Sequence, residues 1–169
     1  MAIHALERLM TVCSYIETAM RMTGEVLVIL KCAKTGRFLD IQISENTLSP
    51  EFKKAVVRDL INGTQLSKPI VMAFSRDVIS SSPFPTAFTN EFRAPITNFA
   101  SDNSYFVVSV LASSEGNSGG GNIKSIGFYY GSDASLTVGT GTLGSVINTL
   151  NVAKTSAIEV TFQYKITYG

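Results

Sequence analysis

The sequence predicts a mainly β protein: an antiparallel β-sandwich, jelly-roll or immunoglobulin-like, with one short capping helix and an N-terminal helix. Apolar and polar residues alternate without a break from Ile158 to Tyr168, the pattern of a strand with one buried face. The runs 26–30 and 104–111 are apolar on both faces, so we expect each to lie inside a sheet. Several short strands joined by turn-rich segments favour a sandwich, with a partly open barrel as the alternative.

Length and composition indicate a single domain with its own core, since 45% of the 169 residues are hydrophobic. Charged residues make up 16% of the chain, below the roughly 25% of ordinary soluble domains. Polar surface is supplied instead by 19 Ser, 16 Thr and 9 Asn. A net charge of +1 without a dense basic run argues against nucleic-acid binding.

The cysteines and the N-terminal residues bear on metal binding, membrane insertion and secretion. Cys13 and Cys32 are too few and too far apart for a zinc site, so we expect no metal and no cofactor. Two small buried thiols are the expectation, with a disulfide left open. No apolar run reaches the ~18 residues of a membrane span. Glu7 and Arg8 interrupt the N-terminal apolar pattern, which makes a secretory signal a poor fit and synthesis in a reducing cytoplasm the expectation.

Residues 1–23 are predicted to form an N-terminal helical arm ahead of a sandwich domain over 24–169. Good helix formers and an apolar face at helical spacing predict the helix, and Gly24 supplies a stop. Two roles are open: the apolar face packs on the chain's own domain, or the arm docks on a neighbouring subunit. The apolar positions of the arm are Ile3, Leu6, Leu9, Met10, Cys13, Ile16 and Met20.

A β-hairpin is predicted next, with strands over 25–32 and 37–44 and a short connection that contains Gly36. The second strand alternates, so we expect one of its faces to see solvent. Its apolar residues are Leu39, Ile41 and Ile43, and its polar residues are Asp40 and Gln42.

A short helix is predicted over 51–61. Ser49 is a capping hydroxyl, Pro50 suits the first turn, and Glu51 favours the positive end of the helix dipole. Asn62-Gly63 ends it. We expect an apolar face made of Phe52, Ala55, Val56, Leu60 and Ile61.

The rest of the chain is predicted to form strands and loops. A strand over 69–74 is followed by a Ser- and Pro-rich surface loop over 75–85. The segment 88–100 contains Pro95, which cannot donate to a ladder, so we expect an edge position or a break there. Further strands are predicted over 122–130 and 145–150.

No catalytic motif is present, and we expect a non-enzymatic protein. His4 is the only histidine, which excludes a two-histidine metal site. The run Gly119-Gly120-Gly121 precedes a strand and lacks the lysine and helix of a phosphate loop. Gly139-Thr140-Gly141 lacks the third glycine and the βαβ context of a dinucleotide site.

A set of residues forms a candidate interface. Glu91 and Arg93 are two apart, which places them on one face of a strand. A solvated pair is the simpler reading, and an interfacial role is the alternative. Aromatic side chains nearby offer either core or contact area. The candidate interface residues are Leu6, Met10, Ile16 and Met20 of the arm, with Phe84, Phe88, Glu91 and Arg93 of the domain.

The order of features over 24–169 resembles small virion structural proteins of tailed bacteriophages, of the tail-fibre-like or decoration-like kind. The resemblance is carried by the Gly-containing hairpin, the short helix and a few short motifs, and it implies no catalytic residues. It departs from the pattern at Ser75-Arg76-Asp77, where a Gly-rich turn is expected. The motifs are Glu91-Phe92-Arg93, Ile126-Gly127-Phe128-Tyr129-Tyr130-Gly131, Thr140-Gly141-Thr142-Leu143 and the closing segment from Lys154-Thr155 to Tyr168.

The resemblance implies a virion protein, made in the bacterial host cytoplasm, that self-assembles and docks on other virion proteins of the capsid or tail. Capsid decoration or a head-fibre or collar component is the first expectation, and a tail-fibre or baseplate subunit the second. We expect a homo-oligomer, taken as a trimer, with no nucleic-acid or membrane partner. The alternative from another class is a carbohydrate-binding sandwich with loops 80–87 and 114–121 as its rim.

Overall fold

In a computed structural model, residues 22–64, 67–101, 104–112, 114–117 and 121–168 are described. The predicted N-terminal arm lies outside these residues except for Met22 and Thr23, which already belong to a strand. The helix of the described part is α1 (Pro50–Asn62). The strands are β1 (Met22–Cys32), β2 (Phe38–Glu45), β3 (Thr47–Leu48), β4 (Pro69–Ser75), β5 (Glu91–Pro95), β6 (Asn98–Ser101), β7 (Ser104–Leu111), β8 (Ser125–Tyr130), β9 (Thr142–Leu143), β10 (Ser145–Val146) and β11 (Ile158–Tyr168).

The strands form three antiparallel sheets. The larger sheet has the order β2-β1-β11-β7-β6, and the smaller one the order β5-β4-β8-β9. A two-stranded ladder joins β10 to β3. The protein is therefore a mainly β antiparallel sandwich with a short helix, as the alternation of its sequence predicts.

The main core lies between the two larger sheets. Phe162 of β11 meets Phe74 of β4 with ring centroids 4.7 Å apart, and Tyr164 meets Phe128 of β8 edge-on at 5.4 Å. Phe52 of α1 closes one side of this core, with its ring 4.8 Å from that of Phe128. Alternation along β11 points its four innermost apolar side chains, Val160, Phe162, Tyr164 and Ile166, into this core.

A second, smaller core covers the other face of the four-stranded sheet. Tyr129 of β8 and Val71 of β4 point away from the main core and pack against Ile79 and Phe88 of the 76–90 loop and Leu143 of β9. All six residues of β8 are consequently buried. The five-stranded sheet differs, because no described residue packs across its outer face as these loops do.

The predicted helix is confirmed, and its caps are those the sequence indicates. The Ser49 hydroxyl accepts a hydrogen bond of 2.9 Å from the Phe52 amide, and Gly63 ends the helix in the left-handed conformation with φ of 64°. Part of the predicted apolar face is wrong: Phe52 and Val56 are buried, but Leu60 and Ile61 are exposed. Both exposed residues lie in the last turn of the helix, where Asp59 is the buried side chain.

Pro95 marks the point at which the chain changes sheets. β5 ends at Pro95 on the edge of the four-stranded sheet, and β6 begins at Asn98 on the edge of the five-stranded sheet. Both strands on either side of the break are edge strands, where a missing amide donor is tolerated. The predicted edge position and the predicted break are both confirmed.

Replacing Ser49 with Ala should lower the free energy of unfolding by about 1 kcal/mol, because the Phe52 amide loses its capping partner. Urea denaturation followed by circular dichroism measures the change. The matched control is Ser156→Ala at an exposed turn position, which should leave stability within about 0.5 kcal/mol of the parent. Equal effects of the two substitutions would contradict the capping role.

Candidate interaction surface

Four aliphatic side chains lie side by side on the outer face of the five-stranded sheet. Leu27 is paired with Ile43, and Ile29 with Ile41, so that two cross-strand pairs share one face. Ile43 is 67% exposed and Ile41 is 47% exposed, while the β1 residues are half-buried. We call Leu27, Ile29, Ile41 and Ile43 the apolar stripe.

The polar side chains of β2 face inward and hold the strand in this orientation. Gln42 donates to the Asn151 carbonyl at 3.3 Å, and the Ser44 hydroxyl lies 2.5 Å from the hydroxyl of Thr149. Because side chains alternate, these bonds turn Ile41 and Ile43 outward. The prediction that one face of β2 sees solvent is confirmed, and that face is the more apolar one.

The two ends of the apolar stripe carry opposite charge. At one end, which we call the near end, Glu25 is paired with Glu45 on one side and with Lys165 on the other. At the far end, Lys31 is paired with Glu159 and precedes the exposed Lys34 and Arg37 of the turn. The stripe therefore lies between an end with two carboxylates and one ammonium and an end rich in cations.

A cavity of about 330 Å³ lies at the near end, where the described chain begins. Its lining includes Met22, Gly24, Asn46 and Lys165. The Asn46 side chain donates to the Tyr164 hydroxyl, and its Oδ1 atom is buried without a partner in the described part of the chain.

Glu91 and Arg93, predicted at an interface, form a buried ion pair within one chain. Each side chain is 1% exposed, and Arg93 Nε donates to Glu91 Oε1. The prediction of a solvated pair is wrong, because the 131–141 loop folds over the pair. Arg93 Nη1 donates to the carbonyls of Ser135 and Thr140 at 2.8 and 2.9 Å. Because both charged side chains are buried within the single chain, neither is exposed for contact with a neighbouring molecule.

Tyr129 completes this cluster from β8. Its hydroxyl donates to Glu91 Oε2 at 2.8 Å, and the Arg93 guanidinium lies 3.9 Å from the centroid of its ring. Burial and the Glu91 carboxylate raise the pKa of Tyr129 to about 12. Arg93 Nη2 is buried without a hydrogen-bond partner among the described residues. The cluster joins β5, β8 and the 131–141 loop, and it is closed to solvent.

The remaining predicted interface residues divide into two groups. Phe88 is buried and Phe84 half-buried, both packed into the smaller core, so their area is internal to the chain. The four arm residues Leu6, Met10, Ile16 and Met20 lie outside the described residues. Sequence reasoning missed the apolar stripe, although its signal was present in the two-sided apolar run 26–30 beside an alternating strand.

A second cavity, of about 460 Å³, lies between α1 and the end of the four-stranded sheet. Ala55, Ile70 and Tyr130 form its apolar part, with Arg58 and Lys68 at the sides. Asp59 is buried there and accepts hydrogen bonds from the Ser67 amide and the Thr64 hydroxyl, both at 2.7 Å. These bonds fix the end of the helix to the segment that leads into β4.

The described residues contain neither a candidate metal site nor a candidate membrane-spanning helix. No group of three or more His, Cys, Asp or Glu side chains is placed to hold a metal ion there. In the same residues, no helix has the length and hydropathy to cross a membrane. Cys32 is a half-buried free thiol, so its predicted full burial is wrong, and hydrogen bonds from Thr35 lower its pKa. His4 and Cys13 lie outside the described residues.

Comparison with known proteins gives no relative: no family model, no curated protein and no solved structure matches this chain.

Replacing Glu91 with Gln should lower the free energy of unfolding by about 3 kcal/mol, because the buried Arg93 charge loses its counter-ion. Glu51→Gln is the matched control, since Glu51 pairs with Lys54 at 3.3 Å in an exposed position. Breaking that pair should cost less than about 1 kcal/mol. Urea denaturation of both variants measures the difference, and a similar small loss in both would contradict the buried pair.

Stability should fall as pH rises from about 10 to 12, and Tyr129 should account for part of that loss. The unfolded chain loses its phenolic protons near the usual pKa of about 10, whereas folded Tyr129 keeps its proton up to about 12. The folded state therefore binds more protons in this window, so its advantage shrinks with pH.

Urea midpoints at pH 9 and pH 11.5 test this for the wild type and for Tyr129→Phe. The variant should lose less stability between the two pH values than the wild type does. An equal loss in both proteins would contradict the raised pKa of Tyr129.

Proposed function

We propose that this protein is a non-enzymatic structural component of a bacteriophage particle, which self-assembles through the apolar stripe and docks on other virion proteins. The observation that carries the proposal is the bare aliphatic surface on one sheet beside a second sheet that is covered on both faces. A contiguous exposed apolar surface on a folded domain is typical of a protein contact. The features over 24–169 that resemble virion proteins supply the particle as its setting.

The arrangement of charged groups supports a scaffold over an enzyme. The buried Glu91, Arg93 and Tyr129 satisfy one another and are sealed by the 131–141 loop, so a substrate has no access to them. Their role is to fasten a loop to two strands. A structural part of a particle needs such internal bracing more than it needs an open cleft.

Within a particle, capsid decoration or a head-fibre or collar position is the first proposal. A tail-fibre or baseplate position is the second. The oligomer is proposed to be closed, because a ring of copies covers every stripe without leaving a growing end.

The carbohydrate-binding alternative has less support from the geometry. Arg76, four residues before the proposed rim loop 80–87, donates to the carbonyl of Gly116 in the other proposed rim loop, 114–121. Sugar binding uses exposed aromatic faces, but Tyr129, Tyr130 and Tyr164 are all buried. Selective binding on a glycan array that loop substitutions abolish would support this alternative and contradict the scaffold.

Replacing Ile43 with Asp should convert the oligomer to a monomer, because a carboxylate in the apolar stripe cannot be buried without a partner. Light scattering coupled to size-exclusion chromatography measures the mass. Leu136→Asp is the control, since Leu136 is similarly exposed at 56% but lies on the loop that covers the smaller sheet. That variant should keep the parent mass.

Mass spectrometry of purified particles tests the setting. We expect the protein in the particle, with hundreds of copies for capsid decoration and about a dozen or fewer for a fibre, neck or baseplate position. A monomeric wild-type protein, or one absent from particles, would overturn the proposed function.

A further inference from the structure

We propose that the apolar stripe is covered by residues 2–20 of a second copy of this chain, so that neighbouring copies exchange N-terminal arms. The proposal deepens the proposed function and rests on it, because it names the contact through which the copies assemble. Two apolar surfaces need covering: the four aliphatic side chains of the stripe and the apolar face predicted for the arm.

The predicted arm is long enough to span the stripe and both of its charged ends. A helix of 19 residues is about 29 Å long. β2 has eight residues and spans about 27 Å, with the stripe at its middle. Cys13 lies two positions from the midpoint of the arm, and Ile43 and Ile41 lie at the middle of the sheet face. One arm therefore covers the full length of one stripe.

The connection to β1 favours exchange over folding back. Met22 is already paired with Tyr168 in the ladder, and the apolar spacing of the arm continues to Met20. Only Arg21 remains between the predicted helix and the strand. A helix that reverses onto its own sheet needs a connection of about 2 to 6 residues. An arm that continues away from the sheet needs none, and it reaches a neighbour.

The charges at the two ends of the stripe favour the same arrangement. If the arm folded back on its own sheet, its C-terminal end and Glu17 would lie over Glu25 and Glu45 at the near end. The negative end of the helix dipole would then face two carboxylates. Arg21 is bonded to Met22 and lies beside the near end of its own chain in either arrangement, but in the exchanged arrangement it also approaches the far end of the neighbouring copy.

An arm from a second copy is free to lie in the opposite direction. The positive N-terminal end of its helix dipole then lies over Glu25 and Glu45, and its C-terminal end, with Glu17, lies toward Lys31 and Arg37. The helix dipole and Glu17 then face opposite charges, and Arg21 offsets part of this gain at the far end. Each copy gives one arm and receives one, which closes a ring of two or three copies.

A disulfide between the arm and the stripe tests the exchange on the full-length protein. Cys32→Ser leaves Cys13 as the one native thiol, and Ile43→Cys places a partner in the stripe. Mild oxidation at micromolar protein concentration is followed by non-reducing electrophoresis. We expect most of the protein in covalent species of two or three chains, which a reducing agent disperses and Cys13→Ser prevents.

The control places the second thiol at Leu136→Cys, a position of similar exposure on the opposite side of the sandwich. This variant should form less than about a tenth as much linked species, because random collisions alone join its thiols. Ile41→Cys repeats the test where Ile43→Cys fails to fold. The largest linked species gives the number of copies in the ring.

Two outcomes would overturn the inference. One is a disulfide within a single chain, seen as a monomer whose two thiols are both consumed. The other is no disulfide at either stripe position, or as much linkage at position 136 as at position 43. A single-chain disulfide in a protein that still assembles on particles would leave the proposed function standing. Linked copies in a protein absent from particles would overturn the proposed function alone.

Discussion

The structure depends on one constraint, the strict alternation of β11 between β1 and β7. Its inward side chains contact the opposite sheet, Phe162 through Phe74 and Tyr164 through Phe128, so this strand sets the spacing and alignment of the two layers. A shift of one residue in its pairing would move every one of these rings to the solvent side. Eleven register pairs with β1 hold it in place.

The loops cover the two sheets of the sandwich to different extents. The four-stranded sheet is covered on both faces, and this makes room for a buried ion pair that would be costly without its full set of partners. Glu91 has Tyr129 and Arg93, and Arg93 has two loop carbonyls. The five-stranded sheet has only its inner face covered by described residues. This difference in coverage closes the charged groups of the four-stranded sheet to solvent. It leaves the outer face of the five-stranded sheet open to contact.

Local signals in the sequence predict the elements but not which faces are covered. The hairpin at Gly36, the caps of α1 and the change of sheet at Pro95 follow from properties of the residues themselves, so they were predictable. The burial of Glu91 and Arg93 depends on a loop about 40 residues away, and no local pattern records that approach. For β2, the alternation of apolar and polar residues predicts one apolar and one polar face. Which face points outward is decided by the hydrogen bonds of Gln42 and Ser44 to the distant residues Asn151 and Thr149.

The two-sided apolar character of β1 shows why the outer face matters. A strand inside a sheet with one solvated face needs apolar residues on one side only, yet Leu27 and Ile29 are apolar on the other side as well. Beside them lies β2, an edge strand whose exposed isoleucines would make an aggregation site if left bare. The polar residues of β11 on the same face, Thr161 and Gln163, separate the apolar stripe from the half-buried Val108 and Val110 of β7. A surface bounded in this way is suited to one narrow partner, such as a helix, better than to a second flat sheet.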